Sequence, residues 1–362
     1  MHGSLVDNIA KANPLRTVLL ILQKNMPASP ALSVTTPSTI SVPFRRTIRQ
    51  LPSQGFSLRS DFSPMPDPGG KGIYFVSGKS SGFLTAYHVQ SEQSTDIVSE
   101  DATEPAISPD GKREMYITLP APQRSELWLS DIDGGNKAKL AAGEGLETGT
   151  WASDNFHLSF SETGAGVGAK VYIVGADGNG LRHVPRTGDI VWNLAWSPDQ
   201  KSIYVSSSEK VLSMPTVWKW RVDGSNPERL LDNCGGVFDA DPGGEYLLAG
   251  VVSGEKTGIY EVSISDRKCI SLLPGVATLG VTFAHDGKSF LYAVASRGEA
   301  TIYRQPWKRG KLNGAAKVAL KVPFAFPLAY ATGNAYDFSG DLSTIVYARP
   351  SGHADLYLLS PQ

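Results

Sequence analysis

A short turn signature returns along this chain at a nearly constant interval, and that repeat constrains the fold more than any other feature. Ser108-Pro109-Asp110-Gly111-Lys112 recurs as Ser197-Pro198-Asp199-Gln200-Lys201. Looser copies are Ala152-Ser153-Asp154-Asn155, Asp241-Pro242-Gly243-Gly244, Ala284-His285-Asp286-Gly287-Lys288 and Ser339-Gly340-Asp341. A first copy with an insertion runs from Ser63 to Lys71. The aspartates at 67, 110, 154, 199, 241, 286 and 341 stand 43, 44, 45, 42, 45 and 55 residues apart. A period of roughly 40–50 residues is that of propeller blades.

Each unit has the same internal order. A large apolar residue precedes the aspartate by three positions: Ile107, Trp151, Trp196, Phe238, Phe283 and Phe338, with Phe62 in this role in the first unit. A β-rich run follows the turn, as in Met115-Tyr116-Ile117 and Ile203-Tyr204-Val205. A third run carries aromatic residues, as in Leu127-Trp128-Leu129 and Val217-Trp218-Lys219-Trp220. Short β-branched and aromatic runs between turn clusters read as strands. The third run often ends in Asp-Gly (133–134, 177–178, 223–224), which supplies the positive φ of a tight hairpin, and a fourth run follows. Four antiparallel strands repeated seven times predict an all-β fold, a seven-bladed β-propeller. The signature itself is a strand-joining device: proline presets φ, aspartate bonds the backbone two residues on, and glycine takes the left-handed position.

The seventh unit lacks a fourth strand before the chain ends at Gln362. Arg46-Thr47-Ile48-Arg49-Gln50-Leu51 fits that role. The ring is therefore expected to close by this N-terminal strand completing the last blade. Residues 1–45 are expected to be a flexible tail, rich in Pro, Ser and Thr from Met26 to Pro43, and residues 46–362 to be the propeller.

The turn signature, the β run after it, the aromatic third strand and the Asp-Gly hairpin together resemble the TolB-type, WD-like propeller repeats of bacteria. The resemblance covers about residues 46–362 and is best at Ser108 and Ser197. It implies a ring of six or seven blades with a protein-binding role, periplasmic or otherwise outside the cytoplasm. Similar repeats also serve as sensor halves of receptor kinases and transcription regulators, and precede the hydrolase domain of prolyl-oligopeptidase-like enzymes. No kinase motif is found in this sequence.

Composition narrows the function classes. A formal net charge of −1 leaves no electrostatic footprint for nucleic acid. The longest early apolar run, Val18 to Leu22, is far short of a membrane span and makes a poor secretory signal. Cys234 and Cys269 have neither zinc-site nor redox-pair spacing. They are expected to be free, half-buried thiols, the alternative being a disulfide suited to an oxidising compartment.

No residue type in the sequence points to catalysis. Gly78-Lys79-Ser80-Ser81-Gly82 matches a nucleophile elbow in letters but joins two strands of a blade, where the elbow needs a strand and then a helix. The six histidines fall at no equivalent axial positions, so no metal site is expected and no cofactor. Asp131–Gly134 and Asp223–Asn226 read as hairpins, lacking the ligand series of a calcium loop. Most tryptophans read as packing between blades. Trp192 is set apart, at the mouth of its blade's first strand and four residues before the repeat's own aromatic. Together with Asn193 it is expected to face the central funnel. Applied to the other units, this offset falls at or beside Arg59, Glu104, Glu147 and Asn334, near the strand entrances. These six residues are the expected ligand-binding rim. The expected function is therefore non-enzymatic binding by a monomer of a protein, peptide or glycan at one face or in the axial funnel. The alternatives are a propeller enzyme of lyase or lactonase type and a detached sensor half.

Overall fold

A computed structural model of the 362-residue chain describes residues 47–51, 65–66, 73–78, 81–99, 102–121, 124–164, 168–184, 190–209, 214–225, 227–251, 254–278, 280–284, 286–296, 299–322, 336–351 and 354–360. The chain divides into two compact units, residues 1–80 with 352–362, and residues 81–351. The second unit holds six four-stranded antiparallel sheets.

The first blade runs Ala102–Ile107, Arg113–Ala121, Arg124–Asp131, Ala138–Gly143, and the second Leu146–Trp151, His157–Gly164, Gly168–Gly175, Arg182–Val184. The third is Ile190–Trp196, Ser202–Ser208, Thr216–Arg221, Glu228–Asp232, and the fourth Gly236–Ala240, Tyr246–Val251, Gly258–Ser263, Lys268–Pro274. The fifth is Val281–Phe283, Ser289–Ser296, Glu299–Pro306, Lys317–Val322. The sixth is composite: Tyr336–Phe338 and Thr344–Ser351 supply its inner strands, Ser81–His88 and Gln93–Val98 its outer ones.

The ring therefore has six blades, not the expected seven. The reason lies in how the first and last repeats are divided. Thr344–Ser351 pairs along eight rungs with Ser81–His88, from Thr344 opposite His88 to Ser351 opposite Ser81. The first and second runs of the last repeat thus join the third and fourth runs of the first repeat in one blade. The remaining runs form the sheet of the other unit, in the order Thr47–Leu51, Ala354–Ser360, Ile73–Gly78, Met65–Pro66. The expected pairing of the N-terminal strand with the C-terminal one is present, Thr47 opposite Ser360, in the sheet of this other unit. Counting signatures counts repeats; it does not say which blade each strand enters. The expected tail, residues 1–45, lies outside the described residues.

Six apolar clusters hold the ring, one at each seam between neighbouring blades. Alternation along each second strand feeds two seams at once. Met115 and Ile117 pack toward the second blade, while Tyr116 packs toward the sixth with Leu84, Ala86, Val346 and Ala348. This is the period-two pattern of a strand buried on both faces.

The turns behave as their residues dictate. Ser108 Oγ donates to Asp110 (2.7 Å), Ser197 Oγ to Asp199 (2.6 Å) and Ser339 Oγ to Asp341 (2.7 Å). The next residue is left-handed in every blade: Gly111, Asn155, Gln200, Gly244, Gly287 and Leu342, with φ between 59° and 71°. Gly244 shows that Gly243, not Asp241, occupies the aspartate's place in the fourth blade. Asp241 stands where the serine belongs and accepts the N–H groups of Glu245 (2.7 Å) and Tyr246 (2.6 Å) itself. It follows that Ala240, not Phe238, is the counterpart of Trp196.

Cys234 and Cys269 form a disulfide, Cα–Cα 5.8 Å, which corrects the expectation of free thiols. Cys234 lies in the turn before the fourth blade's first strand and Cys269 on its outermost strand. The expected hairpin Asp-Gly turns are also found, as at Gly134 (φ 84°).

Candidate functional site: the axial cavity

The first strands of the six blades converge on one cavity of about 440 Å³. Its wall includes Asn193, Phe238, Asp239, Thr282, Tyr336 and Asp337, with Pro105 and Ala106 on the first blade. A volume of this size holds a small molecule or one or two side chains. The wall is uneven: carboxylates stand on the fourth and sixth blades, an amide on the third, and apolar groups on the first.

Asp239 and Asp337 occupy the same rung of their blades, immediately before Ala240 and Phe338, where Ala106, Thr150, Ala195 and Thr282 stand in the others. Each carboxylate reaches across a seam. Asp239 Oδ2 accepts Thr282 Oγ1 (2.6 Å) and the Phe283 N–H (2.8 Å), while Oδ1 accepts the Ala240 N–H (2.8 Å). Asp337 Oδ2 accepts the Ile107 N–H (2.7 Å), and Oδ1 accepts the Phe338 N–H (2.8 Å). Burial raises both carboxyls above their ordinary value. Asp337, with one donor fewer, is pushed up to about 7. A carboxyl of this kind changes charge near neutral pH and can either donate to or accept from a ligand.

The expected rim residues are only partly brought together. Asn193 lines the cavity, its side chain packed so closely against Gly236 that the amide oxygen leaves no room there for a Cβ. Trp192 is the extra residue of a β-bulge between Val191 and Asn193, and its indole N–H donates to Ser208 Oγ (2.8 Å) on the neighbouring strand. Glu104 is also in a bulge, with φ 55°, and is 6% exposed. Glu147 precedes the bulge of the second blade; it accepts Thr163 Oγ1 (3.3 Å), and burial raises its carboxyl. Trp192, Glu104 and Glu147 are not part of the cavity wall. Arg59 and Asn334 lie outside the described residues. β-Bulges re-aim side chains near functional sites, and four of the inner strands carry one.

Asp239 and Asp337 were absent from the expected rim. Aligning the repeats column by column from the turn reveals them, because an acid on an inner strand departs from the Ala or Thr of the other units. Among the described residues no three His, Cys, Asp or Glu side chains are grouped to hold a metal ion. His157 and Asp154 form a close pair, Nδ1 to Oδ2 2.6 Å, but Asp154 also accepts the Phe156 and His157 N–H groups and serves its turn. No described helix is long and apolar enough to cross a membrane.

No protein-family model matches the chain. It is similar to an uncharacterized peptidase, YuxL, of Bacillus subtilis (strain 168), 29% identical over 126 residues. That match covers 33% of this chain and 19% of the peptidase, so the chain spans only a minor part of that relative. Among solved structures, the putative TolB from Agrobacterium tumefaciens superposes with a TM-score of 0.53 at 14% identity, over 75% of this chain and 99% of that one. TolB from Acinetobacter baumannii gives 0.49 at 15% identity, over 78% of this chain and 67% of that one. The resemblance to TolB-type propellers thus holds for the fold. The expectation that the chain is not an enzyme is corrected by the similarity to a peptidase.

Proposed function

We propose that the six-bladed ring binds a polypeptide segment in its axial cavity and works as the substrate-recognition part of a peptidase-type protein. The observation that carries this reading is the cavity wall. Phe238 and Tyr336 offer aromatic surface, while Asn193, Thr282 and the two carboxyls offer donors and acceptors matched to peptide N–H and C=O groups. Apolar walls with a few placed polar groups are the usual composition of a ligand site. The partial similarity to a peptidase supports polypeptide over glycan as the ligand. The bulged inner strands support a wider contact, with Trp192, Glu104, Glu147 and Asn193 at a rim around the same axis. The disulfide fits an oxidising compartment.

The test is to measure retention and cleavage of a random peptide pool by the full chain, with Phe238→Ala and Asn193→Ala as cavity variants and Trp218→Ala as a variant away from the axis. Peptides held by the wild type should bind at least tenfold more weakly to the cavity variants and normally to Trp218→Ala. Equal binding to all four proteins would place recognition elsewhere.

A further inference from the structure

One second-strand position in each blade faces the preceding blade directly behind the inner strand. In five blades it is apolar and fully buried: Leu158, Ile203, Leu247, Phe290 and Ile345. In the first blade it is Glu114, opposite Ile107 and equally buried, 0% exposed. Its neighbour two residues on, Tyr116, packs into the sixth blade, so Glu114 points into the same seam. Ser130 Oγ gives Glu114 Oε1 a long contact of 3.5 Å, and Oε2 has no hydrogen-bond partner.

Asp337 enters this seam from the other side. Its hydrogen bond to the Ile107 N–H joins residues 230 positions apart, fastening the C-terminal inner strands of the composite blade to the start of the ring. The two carboxyls repel each other when both are charged. The surrounding charges do little to relieve this. Lys137 of the first blade favours a charged Glu114, but its Nζ is held by the Ile97 carbonyl of the sixth blade (2.8 Å). Asp239 adds negative charge on the Asp337 side. Asp96 and Arg349 of the sixth blade pair with each other (2.8 Å), and Asp110 is occupied by Ser108 in its turn. The apolar part of the seam is also light, with Ala86, Ala102 and Ala348 among its members.

We propose that the seam between the sixth and first blades is a pH-sensitive clasp, tight while Glu114 and Asp337 share at least one proton and loosened when both carboxyls are charged. Two charges in a cleft with too few donors are relieved by water, and water enters only if the blades part. The strands that yield are those docked last in the chain, Tyr336–Phe338 and Thr344–Ser351. The axial cavity then opens on the side of Asp337.

Amide hydrogen exchange of the full chain, corrected for intrinsic exchange, tests this at pH 5 and pH 8. Amides of 344–351 and of Ile107 should lose protection at least tenfold at the higher pH, and those of Ser202–Ser208 in the third blade should not. Glu114→Leu, which copies the other seams, should abolish the difference. Glu114→Gln, closer in shape, should reduce it and guards against a packing artefact of the leucine. Equal protection of 344–351 at the two pH values in the wild type would overturn the clasp, as would an unchanged pH difference in both Glu114 variants.

Discussion

At the seam between the fourth and fifth blades, Asp239 faces a blade that offers Thr282, Phe283 and Phe290. At the seam between the sixth and first, Asp337 faces a blade that offers Ala106, Ile107 and Glu114 in the same three places. The backbone staple is identical in kind: a carboxylate on an inner strand accepts an N–H from the next blade. What differs is its support. Asp239 receives a hydroxyl as well and has an aromatic core residue behind the bond. Asp337 receives the N–H alone and has a second buried acid behind it. The fold tolerates an inter-blade carboxylate where neighbouring side chains solvate it. Where they do not, the same group becomes titratable near neutrality.

The largest contrast expected is in truncation at the shared position. Phe290 is fully buried among Leu248, Ile259, Tyr292 and Trp307, and Phe290→Ala should cost about 3–5 kcal/mol through lost burial and the cavity left behind. Glu114→Leu should have the opposite sign, gaining about 1–3 kcal/mol at pH 8 by removing an unsatisfied buried group. Urea denaturation of both variants checks this. A loss of stability in Glu114→Leu at pH 8 would mean that the glutamate is better satisfied than its contacts indicate, and the contrast between the seams would fall.

A pH series sharpens the comparison next. The folded Asp337 carboxyl titrates at about 7, above its ordinary 3.8, so the native state holds this proton more tightly than the unfolded chain. Stability from this group is fully present below about 4, is lost as pH rises toward 7, and is flat beyond. The turn aspartates Asp199 and Asp341 are held low by hydrogen bonds from Ser197 and Ser339, so they act oppositely and weaken the fold only in acid. The urea midpoint of the wild type should therefore fall between pH 4.5 and 7.5, and Asp337→Asn should flatten that fall. Asp239→Asn should flatten it less, since Thr282 and two N–H groups already support the charge. Equal flattening by the two variants would erase the distinction between the seams.

The contrast also marks where sequence reading succeeds. The repeat, the four-strand grammar and the turn devices were legible because each is local: Ser108, Asp110 and Gly111 determine one another's geometry within a few residues. Blade number was not, since it depends on whether Thr344–Ser351 pairs with Ser81–His88 or with the strand that follows it. Both partners are β-rich, and nothing local separates them. Asn193 was legible as an axial residue from its place before Trp196. Asp239 was not, because Asp241 stands in the serine's column and not the aspartate's, which shifts the fourth unit by two residues; Asp337 was not, because its partner, the Ile107 N–H, lies 230 residues away. Glu114 reads as a solvated charge in the run Lys112-Arg113-Glu114; only the parity of the strand sends Arg113 over Trp151 and Glu114 into the seam.

The smallest expected effect isolates the hydroxyl. Thr282 and Ala106 occupy one position, and exchanging their characters should move each seam toward the other. Thr282→Ala removes a 2.6 Å bond to Asp239 and should cost about 1 kcal/mol or somewhat more, because the acceptor is a carboxylate. Ala106→Thr supplies the donor that Asp337 lacks. It should bring the Asp337 midpoint down toward the ordinary carboxylate range and recover a similar amount of stability at pH 8. Measured with and without Asp337→Asn, the Ala106→Thr gain should vanish when the carboxylate is absent, since the interaction energy then has no acceptor to act on. A gain that survives in Asp337→Asn would be packing by the added methyl, and the missing hydroxyl would cease to explain why these two seams differ.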